Sequence, residues 1–83
     1  MIGCDEKLFE ALKVVRREYD KAVQKHPEFP AGAGAVCIIA EELGELAKEY
    51  NDSTICHYPD RAITEAAHVA VTAIRTIQML TGE

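Results

Sequence analysis

An all-α fold, an antiparallel bundle of three main helices per chain completed by homo-oligomerisation, is what the 83-residue sequence predicts. Apolar residues recur at spacings of three and four through three long segments, the period of a helix with one buried stripe. No segment keeps the strict alternation of a half-buried strand. Two gaps rich in Pro, Gly, Asn and Asp separate the helical patterns.

The first pattern runs from about Asp5 to Lys25, with Leu8, Leu12, Val15, Tyr19 and Val23 on its stripe. Cys4 or Asp5 is expected to cap it, and Asp5 and Glu6 suit the positive end of the helix dipole. HPEFPAGAG then breaks it, through Pro27, Pro30, Gly32 and Gly34. The second pattern, from about Ala35 to Asn51, carries Val36, Ile39, Leu43, Leu46 and Tyr50. NDSTICHYPD is expected to be a connection, because Asn51, Asp52 and Ser53 favour turns and Pro59 suits the first turn of a following helix. The third pattern runs from about Pro59 to Leu80, with Ala62, Ala66, Val69, Ala73, Ile77 and Leu80 on its apolar side and Gly82 as a stop signal. This helix is apolar over more than one stripe. Such a helix is covered on more than one side, and association of identical chains is the simplest way to cover it.

Residues 1–83 form one domain, near the small end of what folds alone. A net charge of -5 argues against binding a nucleic-acid polymer, which needs clustered Lys and Arg. It leaves room for small phosphorylated ligands, since a divalent cation reverses the local sign. Cys4, Cys37 and Cys56 are odd in number and lack CxxC spacing, which fits reduced thiols in a cytoplasmic protein. Cys37 is expected in the core. The amino-terminal residues lack the pattern of a secretory signal, and no apolar run approaches the roughly 20 residues that span a bilayer, so no membrane association is expected.

Chemistry concentrates in AEELGELAKEY, residues Ala40 to Tyr50. At about 100° per residue, Glu42 and Glu45 lie roughly 60° apart on one helix, with Glu49 between them. Two carboxylates so placed reach one ion, and without a cation or protons they repel. The same spacing on an exposed surface is an ordinary solvated face, so both readings stand on this segment alone. The third helix adds Arg61, Glu65, His68, Thr72 and Arg75 on its less apolar side. Glu65 and His68 repeat the three-residue spacing, and an antiparallel neighbour would bring the two pairs together. Carboxylates suit Mg²⁺ or Mn²⁺, and an imidazole widens the choice towards Mn, Fe or Zn. The other reading of His68, set in AAHVAV, is a buried histidine bonded to a carboxylate. Arg61 and Arg75 are expected as surface salt-bridge partners before phosphate ligands, although a metal site flanked by arginines is what an anionic phosphate ester needs. Cys56 and His57 are a weak zinc signal, read first as ordinary loop residues. Tyr50 and Tyr58 are candidates to stack on a base, with packing the expected role of Tyr50.

EELGE, residues 41–45, followed by EAAH, residues 65–68, resembles the EExxE and ExxD signature of the MazG-like all-α nucleotide pyrophosphohydrolases. EELGELAKEY, VAVTAIRTI and HPEF are also similar to that family, and the resemblance spans most of residues 19 to 80. It implies Mg²⁺-dependent cleavage, with Mn²⁺ as a substitute, of a nucleoside triphosphate to the monophosphate and pyrophosphate, as in the house-cleaning of non-standard nucleotides. Glu42, Glu45 and Glu65 match the family's metal ligands, with His68 where an aspartate is expected. Glu41 matches the leading glutamate, which helps orient the attacking water, and Arg75 or Lys48 would contact phosphate. Family members form dimers or tetramers, and relatives often continue into a further helix, so other subunits are expected to complete this bundle. Two alternatives remain at this stage. One is a catalytically impaired helical oligomer that binds nucleotide or a partner protein. The other is a di-iron carboxylate bundle, for which Glu65-x-x-His68 has the right spacing.

Overall fold

The computed structural model describes residues 2–30, 32–56 and 60–82, with residues 2–4 and 52–56 described by backbone alone. It contains α1 (Ile2–Lys25), α2 (Ala33–Cys56) and α3 (Asp60–Thr81), and the described residues include no strand. The all-α class expected from the periodicity is therefore present. No helix among the described residues is long and apolar enough to cross a membrane.

α1 starts at Ile2, so Asp5 lies in its first turn instead of capping it. At the other end, Gly32 has a left-handed φ of 61°, a conformation glycine adopts without strain, and its carbonyl accepts hydrogen bonds from the N–H groups of Ala35 and Val36. A Cβ on Gly34 would sit 3.0 Å from Cβ of Pro30, so the small residue lets the connection lie close against the start of α2.

α2 corrects the expected boundary: it runs on through Asn51 to Cys56, where a connection was expected. The reason is energetic. Asn, Asp, Ser and Thr each disfavour a helix by only about 0.7 kcal/mol or less, while the residues that terminate one strongly, Gly and Pro, are absent between Gly44 and Pro59. His57, Tyr58 and Pro59 lie outside the described residues, as do the side chains of Cys4 and Cys56. The expectations of a zinc pair, a stacking Tyr58 and a proline at the first turn fall there.

α3 lies between the other two helices and packs on both, whereas α1 and α2 make no close approach to each other among the described residues. α2 and α3 are antiparallel: Glu42 stands level with His68, and Glu49 with Asp60 and Arg61. Tyr19 and Gln78 hydrogen-bond across α1 and α3 at 3.1 Å. The radius of gyration is 14.0 Å, against about 12 Å for a compact domain of this length. The arrangement is open, with a cleft between α1 and α2 floored by α3.

The side of α3 turned into the chain is not the one expected. Ala67, Val71, Thr72 and Arg75 are buried, while Ile77 and Leu80 of the predicted apolar stripe are 58% and 69% exposed. Ala67 and Val71 are small enough to let two helices approach, and Thr72 and Arg75 beside them donate to the backbone carbonyls of Val69 and His26. The apolar stripes of α1 and α2 are also partly open, at Leu8, Phe9 and Leu12 and at Val36, Leu43 and Tyr50. Cys37 is exposed and not in the core: the buried position at the start of α2 is Ala35, and two residues on, about 200° around the helix, a side chain points away.

Candidate metal centre

Three helices converge on His68. Its Nε2 lies 3.0 Å from Oε1 of Glu18 on α1, and its Nδ1 lies 3.3 Å from Oε2 of Glu65, one turn earlier on α3. Nδ1 is also 3.6 Å from Oε2 of Glu42 on α2. Ligand atoms of Glu42, Glu65 and His68 all lie within 4.8 Å of one another. Oε2 of Glu42 is a buried oxygen without a hydrogen-bond partner. An orphaned carboxylate oxygen in such a place is unfavourable unless something cationic completes it.

Burial raises Glu42 above the ordinary carboxylate range, and repulsion from Glu45, Glu65 and Glu41 adds to that against the attraction of His68. Burial alone would also raise Glu18, but hydrogen bonds from His68 and Lys21 outweigh it and hold the carboxyl below its usual value. For His68, burial disfavours the charged ring, and this is outweighed by the hydrogen bond to Glu18 and the charge of Glu65, so its pKa is raised. The raised pKa favours the charged ring, whose positive charge would draw the three carboxylates together.

A stability profile follows from these directions. The contribution of His68 is complete below its ordinary pKa of about 6.5 and is lost as pH rises through the raised value. Ionisation of Glu42 weakens the fold as pH rises from about 4.5 through its raised value. The contribution of Glu18 is complete above about 4.5 and is lost as pH falls through its lowered value. Chelator-treated protein is expected to be most resistant to urea in mildly acidic buffer and to weaken steadily towards alkaline pH. A flat urea midpoint across that range would contradict the ion-pair geometry.

Of the residues singled out in the sequence, Glu42, Glu65 and His68 come together. Glu45 is exposed, and its carboxylate is not among the converging donor atoms, although Glu42 feels its charge. Glu41 and Lys48 are exposed on α2. Arg75 is buried: it donates from Nη2 to the carbonyl of His26 at 2.7 Å and lies 5.0 Å over the ring of Phe29. It therefore ties the α1–α2 connection to α3. Beside the cluster opens the cleft, about 570 Å³, lined by Glu42, His68 and Arg75 together with Lys21, Lys25 and Phe29.

Glu18 is the site residue that sequence reasoning missed. The signal was present but weak: an acidic residue three after Val15 and four before Ala22, on the edge of an apolar stripe. Its partner is 50 residues away, a distance over which helical spacing carries no information.

Comparison with family models, with curated proteins and with solved structures finds no match to this chain.

Proposed function

We propose that this chain is a divalent-metal-dependent nucleotide pyrophosphohydrolase of the MazG-like kind, working as a homodimer or homotetramer. The observation that carries this is the meeting of Glu42, Glu65 and His68 Nδ1 beside a cleft whose walls hold Lys21, Lys25 and Arg75. The donor set fits a metal: two carboxylates and one imidazole nitrogen, with a buried carboxylate oxygen lacking a partner. With one nitrogen and one negative charge fewer than the family pattern, the site favours Mn²⁺ over Mg²⁺.

When bound, the ion supplies charge neutralisation of the phosphate chain and a lowered pKa for a coordinated water. Glu42, Glu65 and His68 would hold it. Lys21 and Lys25 would attract the anionic phosphates, with Arg75 positioning the wall between them and Phe29. Glu41 is the candidate to orient water, a role that comes from the resemblance alone, and Glu45 would join only by turning inward from the surface. A nucleoside triphosphate is the substrate class.

Self-association rests on the apolar surface left open on all three helices, including Phe9 at 62% and Leu80 at 69% exposure. Few side chains are buried within one chain: among apolar residues described, Ala35, Ala67 and Val71. So small a core stabilises a single domain poorly. Light scattering should give two or four times the chain mass of 9.1 kDa. A monomer would contradict this part.

The activity is tested by following pyrophosphate release from common and modified nucleoside triphosphates with Mn²⁺ and with Mg²⁺. Turnover is expected with Mn²⁺ at least matching Mg²⁺. Absence of turnover with both ions would favour the binding-only oligomer, for which the contacts of His68 with Glu18, Glu42 and Glu65 are the supporting observation.

A further inference from the structure

Glu18 is buried, and its two oxygens have separate tasks. Oε1 faces Nε2 of His68 at 3.0 Å, and Oε2 accepts from Nζ of Lys21 at 3.2 Å. A carboxylate offers only acceptors, so the ring nitrogen facing it carries a proton. The other nitrogen, Nδ1, then points at Glu42 and Glu65. Facing two carboxylate oxygens at 3.3 and 3.6 Å, Nδ1 needs either a second proton, as in the charged ring, or a cation in that proton's place. Carboxylate, imidazole and ligand-bearing nitrogen stand in the order found where an outer carboxylate orients a metal-bound histidine.

We propose that Glu18 is a positioning residue: its carboxylate holds the Nε2–H of His68 and so fixes the tautomer whose Nδ1, together with Glu42 and Glu65, binds a divalent transition-metal ion. This rests on the metal reading above. It adds a residue from α1, outside the segments that carry the family resemblance to a metal site. It also gives α1 and α2, which do not pack on each other among the described residues, a shared anchor on α3. Lys21 belongs to the same chain of contacts, because its ammonium balances the Glu18 oxygen that His68 does not use.

The test uses the full chain with Zn²⁺ and Mn²⁺ as probes. Long-range ¹H–¹⁵N spectra of the Zn²⁺-loaded wild-type protein should show His68 protonated at Nε2 and metal-bound through Nδ1, a readout that needs no variant. In calorimetric titrations Glu18→Leu should bind Mn²⁺ about 10- to 100-fold more weakly than wild type. Glu18→Gln, whose carbonyl accepts the same N–H, should recover most of that loss. Coordination through Nε2, or Glu18→Leu binding within twofold of wild type, would overturn the role of Glu18 and leave the metal site standing. Wild-type protein that binds neither ion would remove both.

Discussion

Glu42→Gln is expected to weaken Mn²⁺ binding more than about a hundredfold and, at the same time, to make the metal-free protein more stable. The two effects have one origin. Oε2 of Glu42 is buried, lacks a hydrogen bond and faces the charges of Glu45, Glu65 and Glu41. Leaving a buried polar group unsatisfied costs about 1–3 kcal/mol, more when it is charged, so removing the charge should return on the order of 1 kcal/mol. The same change removes an anionic ligand, a larger loss for the ion than that of an outer-shell partner, which typically weakens binding 10- to 100-fold. Urea unfolding in chelator and calorimetry with Mn²⁺ measure the two halves separately. A variant less stable than wild type in chelator, with unchanged Mn²⁺ affinity, would mean that Glu42 is a structural partner of His68 and nothing more.

Arg75→Ala is expected to lower folding stability by about 3 kcal/mol. The charge-assisted hydrogen bond to the carbonyl of His26 contributes about 1.5–3 kcal/mol, and the stacking over Phe29 about 0.5–2 kcal/mol. For 83 residues the whole stability is about 4–12 kcal/mol, so the loss is a large fraction of it. Arg75→Lys should recover only part, since an ammonium reaches one carbonyl but has no planar face to lay on the ring. Urea denaturation of the three proteins decides the matter. A destabilisation under about 1 kcal/mol, accompanied by loss of nucleotide affinity, would assign the guanidinium to phosphate binding instead.

These two residues also show what was legible in the sequence. Helical class followed from the repeat of apolar positions, and the Glu65–His68 spacing on α3 did meet Glu42 of α2. Periodicity within a helix reports which residues share a face. It does not report which face a neighbour covers, and on the alanine-rich α3 several faces are apolar enough to serve. The chain turns the side with Thr72 and Arg75 inward and leaves Ile77 and Leu80 open. Glu45 was grouped with Glu42 because three-residue spacing makes them neighbours, yet that spacing is satisfied equally by one carboxylate turned in and one turned out. The overrun of α2 past Asn51 has the same lesson on a smaller scale: turn preference is a weak local bias, and the absence of Gly and Pro prevails over it. Glu18 needed the tertiary fold, because α1 meets α3 across 50 residues of chain.

The central claim is that one divalent cation binds between α2 and α3 at Glu42, Glu65 and His68. Anomalous diffraction from crystals soaked in Mn²⁺ tests it most directly. A peak is expected within bonding distance of both carboxylates and of His68 Nδ1, with Glu18 still on Nε2. A map with Mn²⁺ only on the exposed carboxylates of Glu41 or Glu45, or with none on the protein, would contradict it.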